Sequence, residues 1–120
     1  MKKILVIEDD QKIALALATR LKSAGYDAGL AYDVLTGVTA AIKQRPDLVL
    51  MDISMPGGDG FIAAKRIQTL VPSLTPIIFL TASKQAGLRE KAAEFGAAGY
   101  FEKPYDADEL LAAIQHAVGA

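Results

Sequence analysis

Glu8, Asp9 and Asp10 stand together directly after the apolar run Lys3–Ile7. Asp52 closes a second run, Leu48–Met51. Thr81, Ala82 and Ser83 follow a third, Pro76–Leu80, and Lys103 follows the short run Tyr100-Phe101. Gathered in one place, these groups would put the three negatives of Glu8, Asp9 and Asp52 beside one ammonium. Each like-charge pair at about 4 Å costs on the order of 4 kcal/mol at an effective dielectric near 20, which one lysine cannot offset. Such a cluster calls for a divalent cation. Its donors are all oxygens, which suits Mg²⁺, Mn²⁺ or Ca²⁺ over zinc or copper. Mg²⁺ in particular completes its shell with water and phosphate oxygens, and a lysine and a hydroxyl are then the expected partners of a phosphoryl group.

The elements that must position these residues can be read from periodicity. Lys3–Ile7, Leu48–Met51 and Pro76–Leu80 are short, apolar and uninterrupted by polar residues, as strands buried on both faces are. Asp27–Ala31 is a weaker strand leading only to Tyr32 and Asp33, and Tyr100-Phe101 marks a short fifth. Between them lie segments of helical period. Gln11–Ala24 repeats Ile13, Leu17 and Leu21 along one face, with Gly25 as its C′ residue. Asp33 can cap a helix from Val34 to about Gln44, which Pro46 closes. Met55–Gly60 is a cluster of chain breakers and reads as a loop. Phe61–Leu70 is helical and stops before Pro72, and Lys84–Phe95 is helical with Gly96 as its stop. Asp106–Glu109 resembles a capping box before a last helix, Leu110–Val118. Strand and helix thus alternate five times, which implies a parallel sheet covered on both faces: a doubly wound α/β sandwich. Ligands of such sheets bind beyond the carboxyl ends of the strands, where the candidate residues fall.

Composition narrows the function. A chain of 120 residues is one ordinary domain, and 52% hydrophobic residues supply a core. Thirteen Lys and Arg against fourteen Asp and Glu give a net charge of −1, with no basic excess to hold a nucleic-acid backbone. There is no Cys and one His, His116, which excludes disulfides, thiolate catalysis and multi-His metal sites within one chain. The apolar run after Met1-Lys2-Lys3 stops at Glu8, too short for a secretory signal, and nothing approaches the roughly 20 apolar residues of a membrane span. A cytoplasmic protein is expected.

Each candidate also has an ordinary structural role open to it. An Asp after a strand is most often a helix cap, and for Asp9 or Asp10 alone the odds are about even. Thr81 alone is more often a cap or turn residue, and Lys103 alone a solvated lysine. Asp52 differs, because a breaker-rich loop rather than a helix follows it. The joint occurrence at matching strand ends is what these ordinary roles explain poorly.

Four motifs carry a family resemblance: Ile-Glu-Asp-Asp at Ile7–Asp10, Met-Asp-Ile-Ser-Met-Pro-Gly at Met51–Gly57, Leu-Thr-Ala at Leu80–Ala82, and Lys-Pro at Lys103-Pro104. Each is weak singly; in this order and spacing they are strong. Over essentially all 120 residues the chain resembles the receiver domain of two-component response regulators, the family of the bacterial chemotaxis regulator. The resemblance implies a single receiver domain over residues 1–120, with a flavodoxin-like (βα)5 fold and strand order 2-1-3-4-5. It implies that Asp52 is the phosphoacceptor, forming an acyl phosphate. Glu8 and Asp9 would hold Mg²⁺, with Mn²⁺ as the alternative, and Asp52 and the backbone carbonyl of Ser54 would complete the protein ligands. Thr81 would bond a phosphoryl oxygen and move toward it on activation, and Lys103 would form an ion pair with the phosphoryl group. Tyr100 matches the switch aromatic, which turns inward as Thr81 moves, and Pro104 matches a position where the family often has a cis peptide bond. The surface of the fourth helix, fifth strand and fifth helix would change in response.

Some positions depart from the commonest pattern. Ser54 and Ser83, two residues after Asp52 and Thr81, are variable places that influence acyl-phosphate hydrolysis in the family. Gly96–Tyr100 lacks the paired acids of one class of DNA-binding regulators, which weakens that dimer mode. Ile13 is core by about three to two, the alternative being a docking face for a histidine-bearing partner. Leu15 falls off the helical stripe and is expected to be exposed, and His116 is a surface or packing residue.

The resemblance implies a sensor histidine kinase or histidine phosphotransfer protein as donor, and an output domain or effector as reader. It further implies a monomer or a weak phosphorylation-dependent dimer, with no direct nucleic-acid or membrane binding. The chain would catalyse only its own phosphorylation and dephosphorylation. The start at Met1 favours an N-terminal position, and the end at Gly119-Ala120 suits a stand-alone or an excised domain. Three rivals fit less well. A flavin phosphate would be repelled by Glu8-Asp9-Asp10, and an aspartate-nucleophile phosphatase would need a second Asp where Ser54 stands. A degenerate receiver that only binds partners would have lost an acid or the lysine.

Overall fold

The computed structural model describes residues 1–55, 60–71 and 74–119. Pro56–Asp59 of the breaker-rich loop, Pro72, Ser73 and Ala120 lie outside the described residues. The elements alternate throughout: β1 (Lys3–Ile7), α1 (Gln11–Ser23), β2 (Asp27–Ala31), α2 (Val34–Gln44), β3 (Leu48–Asp52), α3 (Gly60–Leu70), β4 (Ile77–Thr81), α4 (Leu88–Phe95), β5 (Gly99–Glu102) and α5 (Ala107–Val118). The five strands form one parallel sheet in the order β2-β1-β3-β4-β5.

Burial explains the sequence pattern. β3 and β4 are buried at every residue and β1 at all but its first, so these three inner strands have no polar face to show. Alternate residues serve two cores. Leu5, Ile7, Val49, Met51, Ile77 and Phe79 pack under α2, α3 and α4, whereas Ile4, Val6, Leu48, Leu50, Ile78 and Leu80 pack under α1 and α5. The edge strands β2 and β5 are only partly buried, which is why both are weak in the sequence.

Side-chain caps set several boundaries. The Asp10 carboxylate accepts from the backbone N–H groups of Lys12 and Ile13 and starts α1. Asp33 does the same for α2 through Thr36. Gly25 follows the end of α1 at φ +94°, as expected. The Lys103–Pro104 peptide bond is cis.

Two helix starts differ from the sequence expectation by three or more residues, and α3 begins one residue early, at Gly60. α4 begins at Leu88, not at Lys84. Gly87 takes φ +90°, a left-handed conformation that interrupts a helix, and the Ser83 hydroxyl binds the Gln85 N–H in a turn. α5 begins at Ala107, three residues before Leu110, because Asp106 caps it directly through the N–H groups of Asp108 and Glu109. Ile13 is half-buried against the α1–α5 core, Leu15 is exposed, and His116 is exposed on α5. Among the described residues no helix is long and apolar enough to cross a membrane.

Candidate functional site

Parallel register gathers the strand ends. Ile7 pairs with Met51, Asp52 with Leu80, and Thr81 with Glu102. Backbone bonds continue the ladder one residue further. The Glu8 N–H donates to the Ala31 carbonyl (3.0 Å), Ile53 to Leu80 (2.9 Å) and Lys103 to Thr81 (2.8 Å). The residues beyond β1, β3, β4 and β5 are therefore held by the sheet itself, on one rim.

The side chains at that rim form a connected set. One carboxylate oxygen from each of Glu8, Asp9 and Asp52 lies within 4.8 Å of the others. Glu8 and Asp52 are buried, whereas Asp9 is exposed. The Lys103 ammonium reaches between the two buried acids, 2.6 Å from Glu8 Oε1 and 3.5 Å from Asp52 Oδ2. The other Asp52 oxygen, Oδ1, accepts the Ser54 N–H at 2.9 Å. The Thr81 hydroxyl is fully buried; its oxygen accepts the Ser83 N–H (2.9 Å) and lies 2.7 Å from the Ser54 hydroxyl oxygen.

Crowding sets the electrostatics. Burial, then the Asp52 carboxyl beside it, push the Glu8 carboxyl up to about 7, against the opposing pull of Lys103. Burial lowers the Lys103 ammonium, but the bond to Glu8 and the two carboxylate charges outweigh it and leave it raised. Burial is the larger cause, and with the neighbouring Asp52 it keeps the Glu8 carboxyl above the usual carboxylate range although a lysine sits 2.6 Å away. The donor set fits a hard divalent cation: three carboxylate oxygens, no nitrogen or sulfur, and two of the acids buried.

Not every acid at the rim belongs to this set. The Asp10 carboxylate is engaged as the α1 cap, and its backbone N–H donates to Glu8 at 3.2 Å. Tyr100 lies one layer below the rim on β5, paired with Phe79 and half-buried against the α2–α4 core, with the Arg89 guanidinium 4.8 Å from its ring centroid. Glu102, above it, takes Lys84 at 3.2 Å and Arg89 at 3.9 Å. The sequence reading missed two contacts: the bond between the Ser54 and Thr81 hydroxyls, and the close pairing of Lys103 with Glu8. The only sequence signal for either is that all four residues stand at or just beyond the ends of strands which the topology makes neighbours.

Residues 4–115 match the response regulator receiver domain family. The chain belongs to that family. It is 39% identical over 118 residues to the transcriptional regulatory protein PdtaR of Mycobacterium tuberculosis, a match covering 98% of this chain and 57% of that protein. The chain spans about half the length of the curated relatives it matches. Among solved structures, the non-phosphorylated receiver domain of HemR from Leptospira biflexa superposes with a TM-score of 0.89 at 29% identity, covering 100% of this chain and 96% of that one. The receiver domain of the sensor histidine kinase PA1611 from Pseudomonas aeruginosa superposes at 0.86 with 33% identity, covering 99% of this chain and 98% of that one. That structure has a magnesium ion coordinated in its active-site cleft. This is a receiver domain of two-component signalling, with the flavodoxin-like architecture and strand order of the family.

Proposed function

We propose that Asp52 is the phosphoacceptor of this receiver domain and that residues 1–120 act as one phosphorylation-dependent switch. A carboxylate oxygen of Asp52 attacks the phosphorus of a phosphohistidine on a sensor histidine kinase or histidine phosphotransfer protein. The P–N bond breaks, its electron pair stays on the imidazole nitrogen, and an acyl phosphate forms on Asp52. In the reverse branch water attacks the phosphorus, releasing inorganic phosphate and restoring the carboxylate. The chain thus processes its own phosphoryl group and no external metabolite.

One observation carries this reading: the Lys103 ammonium lies within reach of both Glu8 and Asp52 at a rim where three carboxylates converge. Asp52 is oriented by the Ser54 N–H, which fixes Oδ1. Lys103 would transfer its ion pairing to the phosphoryl oxygens. Glu8, Asp9, Asp52 and the Ser54 backbone carbonyl would hold Mg²⁺ or Mn²⁺, which supplies positive charge for the phosphoryl oxygens when bound. Thr81 would donate its hydroxyl to a phosphoryl oxygen, and its shift would make room for Tyr100 to turn inward. That movement would break the Arg89–Tyr100 contact and so change the α4-β5-α5 surface presented to an output domain or effector.

Intact mass after incubation with a small acyl-phosphate donor, with and without Mg²⁺, tests this on the wild type and on Asp52→Asn. The expected result is a Mg²⁺-dependent phosphoryl adduct on the wild type alone. An adduct that persists in Asp52→Asn overturns the choice of acceptor. No adduct, with beryllofluoride also failing to bind, would replace the phosphoacceptor reading by a partner-binding one.

A further inference from the structure

Thr81 makes more contacts in this chain than its proposed role as a hydrogen-bond donor to the phosphoryl group requires. It is fully buried at the end of β4, and its oxygen already accepts the Ser83 N–H at 2.9 Å. A buried hydroxyl proton left without an acceptor is costly, so it must be placed somewhere. Among the described residues the acceptor within reach is the Ser54 hydroxyl oxygen, 2.7 Å away. Ser54 is exposed, so its own proton can go to water. Either hydroxyl could donate across this distance, and the asymmetry in burial favours Thr81 as donor and Ser54 as acceptor. The phosphoryl group proposed for Asp52 needs that same Thr81 proton.

We infer that Ser54 is a positioning residue that latches Thr81 in the resting state, competing with the phosphoryl group for a single hydroxyl proton. This rests on the phosphoacceptor reading of Asp52 and adds to it a residue acting through Thr81. Ser54 is placed for the task by its neighbours. Its N–H is tied to Asp52 Oδ1, so the loop that orients the acceptor also carries the latch. Breaking the latch leaves the resting Thr81 proton unpartnered and shifts the balance toward the phosphorylated form.

The test is the affinity for beryllofluoride at saturating Mg²⁺, by calorimetry, on wild type, Ser54→Ala, Thr81→Ala and the double variant. One hydrogen bond's net contribution predicts that Ser54→Ala binds roughly twofold to tenfold more tightly than wild type. The gain should vanish in the Thr81→Ala background, since there is no proton left to compete for. Equal or weaker binding by Ser54→Ala overturns the latch. An undiminished gain in the Thr81→Ala background also overturns it, assigning the effect to space or water at position 54. Failure of the wild type to bind beryllofluoride would instead remove the phosphoacceptor reading, and the latch with it.

Discussion

Asp52→Asn should make the metal-free chain more stable. Asp52 is buried, with Glu8 and Asp9 oxygens within 4.8 Å and Lys103 at 3.5 Å. At an effective dielectric near 20, each repulsion at 4.8 Å is worth about 3.5 kcal/mol and the Lys103 attraction about 5 kcal/mol. Asp9 is exposed, so water and salt screen most of its share. The pairwise terms therefore nearly cancel, and desolvation of the Asp52 carboxylate, a cost of several kcal/mol in real proteins, decides the sign. The amide of Asn does not carry that charge. It keeps an oxygen for the Ser54 N–H, and Lys103 keeps Glu8 at 2.6 Å. The expected gain is roughly 1–3 kcal/mol, after discounting for the amide's own burial. Urea unfolding in chelator at pH 8 and low salt reads it as a midpoint raised by about 1 M at unchanged slope. Added Mg²⁺ should stabilise the wild type more than the variant and narrow the gap. A clear loss of stability in chelator would refute the reasoning, showing Asp52 to be structurally paired rather than crowded.

The folded Glu8 carboxyl titrates near 7 against an ordinary 4.5, so the folded state holds its proton more tightly than the unfolded chain. The corresponding stability is fully present below about pH 4.5 and is lost as pH rises through about 7, a fall of roughly 3 kcal/mol that denaturation in chelator across that window should show. Glu8→Gln should flatten the fall; an unchanged profile would assign it to other groups. Gly60→Ala should destabilise the chain and weaken Mg²⁺ binding together. A Cβ at Gly60 would meet the Ile53 Cα at 2.8 Å and the Asp52 carbonyl oxygen at 3.0 Å, backbone atoms of the segment that carries the proposed acceptor. Overpacking of this kind costs about 1–3 kcal/mol, and unaltered Mg²⁺ affinity would mean that the rim tolerates the shift. Asp10→Ala should cost about 1 kcal/mol through the lost α1 cap while leaving Mg²⁺ affinity within about twofold, which calorimetry checks.

The inner strands were legible because burial on both faces leaves an unbroken apolar run, as in Leu48–Met51. The gathering of Glu8, Asp52, Thr81 and Lys103 was legible for a related reason: a parallel sheet brings the carboxyl ends of all its strands to one rim. The boundaries of α4 and α5 were less so. Lys84, Gln85 and Ala86 are good helix formers, yet the left-handed Gly87 and the Ser83 turn override their propensity. At α5 the acids Asp106 and Glu109 carry the capping signal, and which residue caps fixes the start three positions earlier than the apolar period suggests. Side-chain pairing at the rim was not legible at all. Whether Lys103 faces Glu8 or solvent, and whether Ser54 faces Thr81 or water, depends on rotamers that no spacing encodes.

Those two pairings give the resting site a common logic. Lys103 and Thr81 are the groups proposed to receive the phosphoryl oxygens, and each is already engaged, Lys103 with Glu8 at 2.6 Å and Thr81 with Ser54 at 2.7 Å. Both donors are thus partnered in the unmodified chain, at a buried rim where an unpartnered donor would be costly. A phosphoryl group at Asp52 must therefore displace existing bonds rather than fill vacant ones. The net effect of such a group would be the difference between new and lost partners. The charge on Asp52 works in the opposite sense, raising the energy of the metal-free state and favouring any cation that binds. The sheet makes both tolerable: the residues at issue hang from backbone bonds of 2.8 to 3.0 Å between neighbouring strands.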